Sequence, residues 1–211
     1  MAIYAEEKPS TNYAPAPAGN HFARCVQMID MGTHANKFDA TKPDQRKVRL
    51  TFELPTEQRE FKDGDGLKPH LVSKKFTLTM HEKGSLRGFL QAWRGKDFTA
   101  DEAKRFDVSV LLGKCCLLNI IHESKGEKTY ANIASVSPLV KGMTEPAQLT
   151  PSLEFSLDRA SFDEMVYDSL PDFLRTEIAE SPEYQRLKTP AVTTASDGQA
   201  VPDANDNDVP F

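Results

Sequence analysis

The sequence predicts a mainly β chain with some α: a five-stranded Greek-key barrel carrying one helix between its third and fourth strands. Three observations predict it. Five segments carry strand patterning, and one stretch between the third and fourth of them carries helical periodicity. Proline is absent from His70 to Ser137, although the 211-residue chain contains 14, so regular structure is expected to be densest there. Strand-strand-strand-helix-strand-strand is the connectivity of the OB-fold, a small, partly open barrel that often takes single-stranded nucleic acid.

Each element has its own warrant. His21 to Asp30 reads as the first strand, ended by Met31-Gly32. From Lys47 to Leu54 the alternation is clean: Val48, Leu50, Phe52 and Leu54 on one face, Lys47, Arg49, Thr51 and Glu53 on the other. Pro55 is expected to stop it. Glu57 to Pro69 is polar, with Gly64 and Gly66, and reads as a long hairpin connection. Lys74 to Met80 alternates again, Phe76, Leu78 and Met80 against Lys75, Thr77 and Thr79.

The helix follows, with Ser85 as expected N-cap, Leu86, Phe89, Leu90 and Trp93 at core spacing, and Gly95 closing it. Thr99 and Glu102 form the pattern of a capping box for a second short helix. Lys114 to His122 is nearly all apolar, as in a strand buried on both faces. It pairs with Thr129 to Ser137 across the polar hairpin Glu123 to Lys128. Short helices are expected at Ser161 to Tyr167, through a Ser161/Glu164 capping box, and at Pro171 to Ala179, with a further turn near Tyr184. The organisation is thus a flexible arm (1–18), the barrel (19–141), an acidic helical segment (142–188) and a disordered acidic tail (189–211).

Charge divides along the same lines. Residues 1–141 hold 22 Lys/Arg against 17 Asp/Glu, a net of +5, whereas residues 142–211 hold 4 against 14, a net of −10. A basic body with an acidic tail suits a protein whose body meets a polyanion while its tail stays off it. No apolar run approaches the ~18 residues a membrane span needs, and the N-terminus lacks the pattern of a secretory signal. Three cysteines, two of them adjacent (Cys115, Cys116), argue against a disulfide framework and for a reducing compartment, so a cytoplasmic location is expected.

On a barrel of this kind the binding face lies on strands 2 and 3, flanked by the first and last hairpin loops. That face offers Lys47 and Arg49 on strand 2, with Arg46 at its start, and Lys75 on strand 3, with Lys74 at its edge. The first loop adds Lys37, Phe38 and Lys42; the last hairpin adds Lys125, Lys128 and Tyr130; Arg94 and Lys96 follow the helix. Cations would neutralise phosphates, while Phe38 and Tyr130 could stack bases or simply pack. Trp93 reads as core. The histidines and cysteines show neither Cys-x-x-Cys nor His-x-x-x-His spacing, and no phosphate loop or nucleophile elbow occurs. A non-enzymatic protein without metal or cofactor is expected.

The C-terminus, Asp203 with Asp206-Asn207-Asp208-Val209-Pro210-Phe211, is an acidic strand ending in an apolar dipeptide at a free carboxylate, suited to an apolar pocket ringed by Lys/Arg on a partner. It resembles the tip of bacterial single-stranded DNA-binding proteins, with Asn207 interrupting the acidic run. Residues 19–185 resemble a family of phage-encoded OB-fold DNA-binding proteins through His21-Phe22-Ala23-Arg24-Cys25, Lys47-Val48-Arg49-Leu50, Ser85-Leu86-Arg87 leading to Trp93-Arg94-Gly95-Lys96, Leu112-Gly113-Lys114 and Tyr130-Ala131-Asn132-Ile133. The resemblance implies a protein that coats single-stranded DNA and recruits replication or recombination enzymes through Asp203, Asp206, Asp208, Val209, Pro210 and Phe211, with self-association left open. An interaction adaptor without DNA binding, and a nuclease or annealing protein, are the alternatives.

Overall fold

The computed structural model describes residues 14–36, 39 and 41–189. Its strands are β1 (Gly19–His34), β2 (Gln45–Arg59), β3 (Lys68–Thr77), β4 (Cys115–Lys125), β5 (Lys128–Ser137) and the short β6 (Leu153–Phe155). Between β3 and β4 lie α1 (Ser85–Arg94), α2 (Ala100–Lys104) and a 3-10 turn at Val108–Leu111; α3 (Glu164–Ser169), α4 (Asp172–Ala179) and α5 (Pro182–Lys188) end the described chain. The sheet runs β3-β2-β1-β4-β5 with antiparallel neighbours, and β6 adds to β1 in parallel. It is an open, strongly curved sheet compatible with a barrel-like fold. At the seam between its two end strands, Lys74 Nζ donates to the Ile133 carbonyl at 2.8 Å.

The predicted alternation of β2 holds. Val48, Leu50, Phe52 and Leu54 are all buried on the concave side, where α1 covers them with Leu86, Phe89, Leu90 and Trp93. The ring of Phe52 lies 6.1 Å from Phe89 and 5.5 Å from Trp93, and Phe76 lies 4.9 Å from Phe89. Burying each of these large side chains stabilises by about 1.5–3 kcal/mol. Trp93 is core, as expected, and its indole N–H donates to the Cys115 carbonyl at 3.0 Å. Gly95 ends α1 at φ 67°, and Thr99 and Glu102 make both bonds of their capping box.

Several boundaries differ from the sequence expectation, each for a local reason. β1 does not stop at Met31-Gly32: a bulge between Asp30 and Gly32 lets it continue to His34. Gly32 sits there at φ +75°, and a Cβ would fall 2.3 Å from the side chain of Ser181. β2 runs through Pro55, because the pairing with β3 jumps from Leu54–His70 to Gln58–Pro69 and the proline needs no ladder N–H. β3 therefore starts at Lys68, and the connection is shorter than expected.

β4 is buried on one face only (Cys116, Leu118, Ile120), while Ile121 is half exposed. Ser85 is the first residue of α1 rather than its cap, which is Gly84. Asp163, not Ser161, caps α3, accepting from the N–H groups of Met165 and Val166. Lys74, expected at the edge of the outward face, shares its strand face with Val72 and Phe76 and reaches β5 through the Ile133 carbonyl.

A second core lies outside the sheet. Ile29 and Met31 on the convex side of β1 pack under Phe155, Leu157, Tyr167, Leu170, Leu174 and Ile178. The acidic helical segment thus forms a layer on the β-sheet. Glu53, fully buried on the convex face of β2, holds the strap that leads into this layer: its carboxylate accepts from the Leu149 N–H (3.1 and 3.2 Å) and the Thr150 N–H (2.7 Å).

Candidate nucleic-acid interface

Register places the convex side chains of β2 and β3 side by side: Arg49 against Lys75, Thr51 against Ser73, and Lys47 against Thr77. Lys47 Nζ donates to the Thr77 hydroxyl at 2.7 Å. Burial, and then the neighbouring Lys75 ammonium, press the Lys47 pKa below the ordinary lysine value. Arg49 is likewise pushed down by burial, and its guanidinium lies 5.3 Å from the ring centre of Phe173 on α4. Lys75 pairs with Glu177, one turn further along that helix.

From this row a groove of about 1000 Å³ runs along β3. Its floor includes Leu71, Val72 and Ser73, with Arg49 at its margin. One wall is the end of the β2–β3 hairpin, with Phe61, Lys62 and Lys68; the other is β5, with Thr129, Tyr130 and Asn132. Pro151 and its two predecessors in the strap, together with Ala14 to Ala16, complete the lining. Tyr130 is 46 % exposed and Leu71 equally so, which leaves a ring and an aliphatic surface open beside Arg49, Lys62 and the Lys68–Asp65 pair. The ring of Phe61 meets His70 edge-on at 5.0 Å, and burial there lowers the His70 pKa.

The β4–β5 hairpin carries two lysines and two glutamates, and Lys128 makes no ion pair among the described residues. Lys125 and Lys128 face each other across the turn at Gly126-Glu127, where φ of Gly126 is 63°. Directly opposed like charges destabilise a hairpin unless an anion lies nearby. Lys125 is 68 % exposed, with Glu123 at 3.6 Å.

The structure brings Lys47, Arg49, Lys75, Lys125, Lys128 and Tyr130 to one side of the sheet, and it separates others from them. Arg46 is engaged by Asp30, which also accepts the Gly32 N–H at 3.0 Å and the Leu157 N–H at 3.3 Å, so this arginine ties β2 to the outer layer. Arg94 lies inside α1 rather than past its end. It bonds Glu102 at 2.7 Å and covers the Phe98 ring at 4.1 Å, and this bond, with the Thr99 N–H, holds the Glu102 pKa down at about 2. Arg94 is therefore a structural cation, not a freer one. Lys96 is exposed beyond it. Lys42 pairs with Asp39 at 3.5 Å. Lys37 and Phe38, and the tip residues Asp203, Asp206, Asp208, Val209, Pro210 and Phe211, lie outside the described residues.

Sequence reasoning missed Phe61, Lys62 and Lys68, assigned to a hairpin connection, and Leu71, because strand 3 was begun too late. Phe173 was also missed. Its signal was present: it sits one position off the Leu174/Ile178 spacing, which turns an aromatic outward.

Among the described residues no group of His, Cys, Asp and Glu is placed to hold a metal ion, and no helix is long and apolar enough to cross a membrane. Cys25 and Cys116 are buried small hydrophobes, and burial pushes the Cys25 thiol up to about 12. Comparison with protein-family models, with curated proteins and with solved structures finds no match to this chain.

Proposed function

We propose that this chain is an OB-fold protein that binds single-stranded DNA with little sequence preference, in the manner of the phage replication and recombination proteins it resembles. The observation that carries the reading is the groove along β3, where a half-exposed tyrosine and an aliphatic floor lie beside Arg49, Lys62 and the Lys68–Asp65 pair. Rings and apolar floor take base faces, which every base has; cations take phosphates, which every nucleotide has. The strand order and the helical insertion between β3 and β4 support the OB assignment. The acidic terminal residues with Pro210-Phe211 would recruit replication or recombination enzymes by the chemistry set out from the sequence.

The test is a salt titration of binding to a fluorescein-labelled poly-dT oligonucleotide. Log K should fall linearly with log salt, at about 0.7 per phosphate neutralised. A chain that leaves the oligonucleotide unbound at low salt is not a nucleic-acid-binding protein, and the adaptor reading then takes its place. Cleavage of the oligonucleotide on adding magnesium would instead identify a nuclease.

A further inference from the structure

One exposed ring beside the groove has no packing role. Phe173 is 59 % exposed, although α4 is anchored firmly by its neighbours Leu174 (3 %) and Ile178 (fully buried) in the outer core. Those two residues fix the helix, so the position of Phe173 is preset while its own surface stays largely open. The guanidinium of Arg49 lies 5.3 Å from its ring centre, and Arg49 in turn borders the groove. The charges around it are engaged: Glu177 pairs with Lys75, and Asp172 pairs with Arg175 on the same short helix. A phosphate approaching α4 meets cations that already hold carboxylates, whereas the uncharged face of a base needs none of them.

We propose that Phe173 is a base-stacking platform of the single-stranded nucleic-acid site, supplied by a helix outside the barrel, with Arg49 holding the adjoining phosphate. The proposal rests on the nucleic-acid reading above. It gives the bound strand a sense across the sheet: bases turn toward α4 at this end, and phosphates turn away from it toward Arg49 and the groove cations. Tyr130 and Phe173 then take bases at opposite limits of the interface, one from the hairpin of the barrel and one from the added layer.

The experiment compares the full chain with F173A and F173W on fluorescein-labelled poly-dT and on an abasic oligonucleotide of equal length. Melting curves should stay close to wild type, since the side chain is mostly exposed. On poly-dT, F173A should bind about tenfold more weakly, about 1.4 kcal/mol, and F173W should match wild type. The salt slope should be unchanged, because no phosphate contact is removed. On the abasic strand the three proteins should converge, and F173W should show indole quenching by poly-dT beyond that of Trp93. Wild-type binding with F173A equal to it, or tighter, overturns the proposal, the tighter case showing that α4 competes with the strand. A wild-type chain that binds no oligonucleotide brings down the nucleic-acid reading itself, and this proposal with it.

Discussion

The two ends of the interface are built differently. At the β4–β5 hairpin, Lys125 and Lys128 oppose each other and Tyr130 is half exposed. At the α4 end, Lys75 is paired with Glu177 and Arg49 lies against Phe173. Exposed ion pairs are worth little to stability, about 0–1 kcal/mol, so Glu177 contributes less as a staple than as a partial screen on the Lys75 charge. On the proposed nucleic-acid reading, Lys128, which makes no ion pair among the described residues, should weigh more on the salt dependence than Lys75. The α4 end would then contribute through ring faces and shape, and it depends on an outer layer that must first be folded.

The largest expected effect breaks that dependence. Leu174→Ala removes a side chain that is 3 % exposed in the outer core and should destabilise the protein by about 2–5 kcal/mol, read from urea unfolding. Next comes Glu53→Ala, which leaves the Leu149 and Thr150 N–H groups without their acceptor. A loss of about 1–3 kcal/mol is expected by the same measurement, with faster amide exchange across residues 145–153.

On the binding side, Tyr130→Ala should weaken poly-dT by about 1–3 kcal/mol without altering the salt slope. The double variant Lys125→Ala/Lys128→Ala should flatten that slope by about 1.4, if each lysine neutralises one phosphate. Lys75→Ala should flatten it by less than one phosphate's worth, because Lys75 must leave Glu177 to meet DNA. Equal slopes for Lys75→Ala and Lys128→Ala would erase the distinction between the two ends.

The smallest effect concerns pH. Burial lowers the His70 pKa below its ordinary value of 6.5, so the folded state binds this proton less readily than the unfolded chain does. The stability this confers is complete above pH 6.5 and is lost as pH falls through the lower, folded value. Thermal melting should drop modestly between pH 7.5 and 5, and His70→Gln should reduce the drop.

Much of the sheet and its covering helix was legible because their signals are local. Val48 to Leu54 alternates at the strand period, and Leu86 to Trp93 recurs at the helix period, so both faces could be assigned from spacing alone. Bulges are where this reading failed. The register jumps at Gly32 and after Leu54 depend on what lies across the pair, Ser181 in one case and β3 in the other, and neither leaves a mark in the local pattern. For the site, Lys47, Arg49 and Lys75 followed directly from strand parity. Lys74, placed at the edge of that face, turns instead to the Ile133 carbonyl, a partner on a distant strand that spacing does not reveal. Arg94 looked free because an arginine at a helix end gives no sign of a glutamate eight residues on. The outer layer was illegible as a layer: Ile29 and Met31 read as strand residues without indicating what would cover them.

That strand has a consequence for the order of assembly. β1 bonds to β2, β4 and β6, drawing on residues as late as Phe155, and its convex side is covered by helices through α5, where Glu183 accepts from the Thr33 N–H and hydroxyl. During synthesis the first strand to emerge is thus the last to be completed. A chain cut at residue 141 would expose Ile29 and Met31 to water and leave the Glu53 carboxyl with nothing to hold. The minimal folding unit consequently extends past the five-strand body to the end of α5, and shortened versions should be designed to stop no earlier.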